Sequence, residues 1–131
     1  MSYEAARAGD KVSSGPTADA HDCTIGNTTT TSKCTFSATI NENVSANVFI
    51  GDRAAATMDS VASKNVTHDP ALPTTASSIT PQPKTSGKIT QGSNTVSINS
   101  LSAARHGDAA ECCSATGTVD VQGTATVFIG G

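Results

Sequence analysis

His21, His68, Cys112 and Cys113 stand at comparable distances behind a recurring Asp, and their chemistry is that of metal ligands. His21 follows Asp10 by 11 residues, His68 follows Asp59 by 9, and Cys112 and Cys113 follow Asp108 by four and five. If three chain segments wrap around a common axis, these side chains converge. Imidazole nitrogen and thiolate sulfur together suit a transition metal, most simply one Zn2+ in a closed tetrahedron. The favoured ligands are His21, His68 and one or both of Cys112 and Cys113. His106 is the next candidate, because it stands where the first segment has Ala8. Two adjacent cysteines on one ion make a tight geometry, so one of the pair can face away. Such a metal is structural: it ties loops that have too little apolar area to order themselves.

Each of these residues also has a plainer reading. His21 and His68 suit solvated loop positions beside Asp22 and Asp69. His106 suits a packed or exposed place on a strand, and Cys112 and Cys113 suit plain burial. Cys23 and Cys34 lie eleven residues apart in one segment. Pairing after export, ligation and burial as free thiols are all open to them. The Asp of each His-Asp pair could orient its imidazole or face solvent. A Cys-His nucleophile and base would be the catalytic alternative. The candidates fall on equivalent segments, however, which favours ligation. No Gly-rich nucleotide loop or paired-carboxylate pattern is present. The chain reads as a non-enzyme.

The elements that must position these residues are written as repeats. The closing phrase Gly123-Thr124-Ala125-Thr126-Val127-Phe128-Ile129-Gly130-Gly131 recurs at 44–52, around Val48-Phe49-Ile50, and more weakly at 92–100. A second phrase runs Ala5-Ala6-Arg7-Ala8-Gly9-Asp10, then Arg53 to Asp59, then Ala103-Ala104-Arg105-His106-Gly107-Asp108. The Val-Phe-Ile pieces, flanked by Gly, Asn or Asp, predict short strands between turns. No stretch carries a convincing helical period. The expected fold is all-β: a small cone of three short β units around a pseudo-threefold axis, one domain over 1–131 with units at about 5–52, 53–100 and 101–131. No unit can bury its apolar face alone. Small alanines would let the three approach the axis. The step from the recurring Asp to the strand Val is 38, 37 and then 19 residues, so the first two units carry insertions. Their Ser, Thr, Pro and Asn content predicts long irregular loops.

Composition narrows the field. Ser and Thr supply 36 residues, while there is no Trp, one Tyr and three Phe. A large aromatic core is therefore excluded, and regular packing of Val, Ile and Ala needs a metal, a disulfide or a partner. The net charge is −3 with scattered Lys and Arg, which argues against nucleic acid. No run reaches membrane-spanning length, and the start of the chain lacks a signal-peptide pattern, so synthesis as a soluble cytoplasmic protein is expected.

Ala-Ala-Arg-x-Gly-Asp followed by Gly-x-x-x-Val-Phe-Ile-x-Gly, three times over, resembles the PAAR-repeat proteins. The match is close at 5–10, 44–52, 103–112 and 123–131, and degenerate in the middle unit, where Met58-Asp59 replaces Gly-Asp and Ser97 replaces Phe. The resemblance implies the tip of a contractile injection apparatus, such as type VI secretion systems, phage-like tails or extracellular injection particles. It implies a cone whose base, at Val48, Phe49, Ile50, Val127, Phe128 and Ile129, sits on a trimeric β-helical spike, one tip per trimer. It implies a zinc ion near the vertex, held by histidines and a cysteine, with Cys112 at the family's Gly-Asp-x-x-x-Cys position. Ser14 and Ser63 occupy the corresponding places in the other units, which leaves ligation there to His21 and His68. Effector cargo and a transiently contacted target membrane are further implied partners, and the tip would leave the cell on contraction. The end of the chain at Gly131 leaves an expectation of no attached toxin domain. The alternative from a different class is a small secreted metal-binding or adhesive β-repeat protein that works without a spike.

Overall fold

The three Ala-rich phrases close a ring of backbone hydrogen bonds. Ala6 N–H donates to Ala104 C=O at 3.0 Å, Ala104 to Ala56 at 3.1 Å, and Ala56 to Ala6 at 3.0 Å. All three residues are buried. Only a methyl group or less fits where three chains meet this closely. A threefold pattern also recurs on either side of the ring: one residue before it Ala5, Ala55 and Ala103 donate to Val127, Val48 and Val96, and three residues after it Gly9, Asp59 and Gly107 donate to Ile40, Ile89 and Val119.

These contacts come from a computed structural model that describes residues 2–123 and 126–131. Thr124 and Ala125 of the closing phrase lie outside the described residues. The described residues form fourteen strands and no helix. In chain order these are β1 (Ser2–Glu4), β2 (Lys11–Ser14), β3 (Asp19–Ile25), β4 (Thr28–Glu42), β5 (Phe49–Ile50), β6 (Arg53–Ala54) and β7 (Val61–Asp69). They continue as β8 (Ser78–Thr80), β9 (Gly87–Ile89), β10 (Ser97–Ile98), β11 (Leu101–Ser102), β12 (Ala109–Cys112), β13 (Ala115–Asp120) and β14 (Phe128–Gly130).

Six of them close on themselves. The order β2-β13-β12-β9-β7-β4 is completed by pairing of β4 back to β2, every neighbour antiparallel. Closure removes the sheet edges that a small β protein must otherwise protect. Side chains alternate along each strand, so inward positions stack in layers. Ile40, Ile89 and Val119 lie next to the turns that follow the alanine ring. Val12, Ala38, Ala62 and Ala110 come next, and Phe36 and Cys112 follow; all are buried in one cluster. Gly117 belongs to the narrow part, where a Cβ would overlap the Cys112 sulfur and the Ser13 backbone. On the other side of the alanine ring lie two short hairpins, β5-β6 and β10-β11, and the two-stranded β1-β14 pair, which joins the first and last strands. Ile50 and Ile129 pack there with Ala5, Ala55 and Ala103, flanked by Val48 and Ile98.

The Gly-Asp turn is more than a turn. The Asp10 and Asp108 carboxylates are buried and accept the backbone N–H of Arg7 (2.9 Å) and Arg105 (2.7 Å). In the middle unit Ser60 Oγ accepts from Thr57 N–H at 3.0 Å. Ser60 is therefore the counterpart of Asp10. Asp59 takes the glycine place, with φ +78° against +94° at Gly9 and +88° at Gly107. Asp enters the left-handed region more readily than most residues, which permits the exchange. The one-residue shift makes Lys64, not Ser63, the counterpart of Ser14 and Cys112. Ser63 bonds Asn41 instead.

The first insertion is not an irregular loop. Its Thr-rich stretch forms the outer half of β4, paired with β3 across a two-residue Gly26-Asn27 turn. Gly26 has φ +62°, as such turns require, and β-branched threonine favours extended chain. The second insertion, 70–86, is mostly irregular, and its one strand, β8, adds to the outer edge of β3.

Candidate metal centre

Four side chains meet beyond Phe36, at the end of the closed sheet away from the short hairpins. Asp19, His21, His68 and Cys113 each offer one ligand atom, and these atoms all lie within 4.8 Å of one another. Asp19 and His21 alternate on β3 and so share a face. His68 is near the end of β7, directly across from Phe36 on β4, and its ring meets the Phe36 ring edge-on with centroids 5.3 Å apart. Cys113 follows β12 in a turn, with φ +41° directing its chain away from the core-facing Cys112. Three separate parts of the chain are thus joined at one point.

Asp19 is the hub, and both its oxygens are used. Oδ1 lies 2.9 Å from His21 Nε2 and accepts Ser114 Oγ–H at 2.8 Å; Oδ2 lies 2.8 Å from His68 Nδ1. Cys113 Sγ is 3.3 Å from His21 Nε2. Both Asp19 and His21 are buried. The remaining nitrogen of each imidazole faces a backbone carbonyl: His21 Nδ1 to Pro81 C=O at 2.6 Å and His68 Nε2 to Lys84 C=O at 3.1 Å. A carbonyl only accepts, so these two nitrogens carry hydrogen. In neutral imidazoles the opposite nitrogens are then lone pairs, and both point at a carboxylate. Acceptors facing acceptors require positive charge between them, supplied either by extra protons or by a metal ion.

The donor set fits a metal. A zinc tetrahedron with bonds of about 2.0–2.3 Å has edges of roughly 3.3–3.8 Å, and the ligand-atom spacings here, from 2.8 Å to within 4.8 Å, bracket that range. A ligating histidine usually donates its other N–H to a carbonyl or carboxylate, as both do here. Lys84 N–H points at Cys113 Sγ at 3.2 Å, the arrangement that stabilises a thiolate. Electrostatics agree. Burial alone would raise the Asp19 carboxyl, but hydrogen bonds from His68, Ser114 and His21, the imidazoles donating when they carry the extra proton, outweigh it and hold the group well below the usual carboxylate range. Burial pushes the Cys113 thiol up, and the Asp19 carboxylate adds to this against the N–H groups of Lys84 and Ser114. A cation at the centre would reverse that balance.

Of the residues singled out from sequence, the fold brings His21, His68 and Cys113 together and leaves two apart. Cys112 faces the hydrophobic core, where burial first, then Asp19 and Cys113, push its thiol up to about 12. His106 lies at the other end, half-exposed, with Nδ1 accepting Val121 N–H at 3.1 Å and 3.9 Å from Asp120. Cys23 and Cys34 are buried free thiols, and Cys34 donates to Pro70 C=O at 3.1 Å. Asp22 and Asp69 orient neither histidine: Asp22 accepts from Thr31, and Asp69 is exposed. The residue that sequence reasoning missed is Asp19. Its signal was the Asp-x-His alternation, which reads as one face only once 19–25 is recognised as a strand.

At the opposite end, Phe49 and Phe128 stand 60% and 57% exposed, and Val127 is exposed beside Phe128. Ile50 and Ile129 point inward, and Val48 is partly buried against them.

Residues 80–131 match the family model of the PAAR motif. The matched stretch contains Cys112 and Cys113, while Asp19, His21 and His68 lie outside it. No curated protein and no solved structure matches the chain.

Proposed function

Taking as premise that the chain is a PAAR-repeat protein, a spike-associated tip component of contractile injection systems, we propose that it caps and sharpens a trimeric spike. One observation carries the reading: a single chain builds a closed threefold ring, Ala6-Ala56-Ala104, with exposed apolar side chains on one side and a metal-ligand cluster on the other. Pseudo-threefold symmetry within one chain lets a monomer match a true trimer and end it. The contact surface is Phe49, Phe128 and Val127, with the Ile50 and Ile129 layer as support. Exposed aromatic side chains are common interface anchors.

Zn2+ is the ion that this nitrogen, sulfur and oxygen set suits best. His21 Nε2, His68 Nδ1, Cys113 Sγ and an oxygen of Asp19 would hold it. Its contribution is structural, raising the cost of pulling β3, β7 and the β12-β13 turn apart. That is the property needed at the leading end of an object driven through a membrane. Assembly in the producing cell and delivery outside it on contraction follow from this role.

The test is to mix the chain with a trimeric β-helical spike protein from a contractile injection system of the same organism and weigh the product by light scattering. One tip per three spike chains is expected, with binding abolished by Phe49→Asp together with Phe128→Asp at unchanged melting temperature. A chain that stays monomeric beside the spike overturns the proposal.

A further inference from the structure

We propose that residues 70–84 form a strap coupled to the metal centre, so that metal binding locks the strap and the strap in turn sets metal affinity. The inference rests on the metal reading above. It starts from the second bonds of the cluster. His21 donates to Pro81 C=O, His68 donates to Lys84 C=O, and Cys113 accepts from Lys84 N–H. All three of the nitrogen and sulfur ligands are thereby fastened to one four-residue piece of backbone, 81–84.

The strap has little else to hold that piece. None of residues 70–84 is buried, so apolar packing contributes little to its order. Its other ties are upstream: Cys34 Sγ to Pro70 C=O, Ser77 N–H to Thr24 C=O at 2.7 Å, and the three-residue β8 ladder on β3. Prolines at 70, 73, 81 and 83 fix φ and lower the entropy lost when the segment orders. The strap therefore sits near the balance between ordered and open, where a few bonds decide. Fixing both imidazole tautomers and directing an amide at the thiolate are the functions of outer-shell partners, and their loss costs about 10–100-fold in metal affinity. Coupling of two equilibria is reciprocal, so a strap that strengthens metal binding is itself held by the metal. An exposed segment beside the leading end, ordered only when the site is loaded, would report loading to whatever packs against it.

Hydrogen exchange of the native full chain, loaded with Zn2+ alone and then treated with a chelator, reads this directly. Amides of 77–84 are expected to exchange toward the rate of unstructured chain on metal removal, while Ile40, Ile89 and Val119 in the closed sheet keep their protection. Pro81→Gly with Pro83→Gly, which keep the backbone partners but loosen the strap, are expected to weaken zinc binding in a competition assay by about 4–30-fold at unchanged melting of the metal-free protein. If zinc binds but strap exchange is indifferent to it, or if the double variant binds zinc as tightly as the parent, the coupling is wrong and the metal centre stands. Loss of protection throughout the sheet also overturns the coupling, since the metal would then hold the whole fold. If no zinc binds, both readings fall.

Discussion

At the residue scale the centre depends on Asp19, whose carboxylate joins two histidines and the Ser114 turn. Its pH behaviour follows from the sign of its shift. The folded group is held below its ordinary value despite burial, so folding favours the ionised form. That contribution is fully present above the ordinary carboxylate range and is lost as pH falls through it, from about pH 5 downward, toward the folded value. In chelator-treated protein the melting temperature should therefore fall over this acid limb, and Asp19→Asn should flatten it. An acid limb unchanged by Asp19→Asn would contradict the assignment. His21, His68 and Cys113 could be singled out in the sequence because each is a metal-ligand residue type that follows one of the recurring turns. The choice of Cys113 over Cys112 was not legible there. Alternation on β12 sends Cys112 into the core, and only the positive φ at Cys113 turns the next sulfur to the cluster.

At the element scale the closed sheet is narrow and filled by few large side chains. Phe36 is buried between the Ile40-Val12 layers and the His68 ring. Phe36→Ala should cost about 3–5 kcal/mol in denaturant unfolding of the metal-free chain. Gly117→Ala should cost about 1–3 kcal/mol, because the added methyl overlaps the Cys112 sulfur and the Ser13 backbone. A cost near zero at both positions would mean the layers are not packed as described. The alanine phrases and the Val-Phe-Ile strands were readable because each is a short local pattern that repeats. The first insertion was misread because Ser, Thr and Asn content suggested a loop, whereas threonine β-propensity and a Gly-Asn turn make it a hairpin. The shift at Asp59-Ser60 was hidden because two substitutions there exchange the roles of neighbouring positions.

At the scale of the molecule the chain has two ends with different chemistry: an apolar face at Phe49 and Phe128 and a polar, metal-ready cluster beyond Phe36. Sequence repeats alone do not give the ligand set, which is completed by insertions that no repeat predicts. The central claim is that one ion joins β3, β7 and the β12-β13 turn. Native mass spectrometry of the full chain, purified without added metal, tests it most directly. One zinc per chain is predicted for the parent and for His106→Ala and Cys112→Ser, and none for His21→Ala with His68→Ala. A parent with no bound ion, or an ion kept by the double histidine variant, would contradict the account.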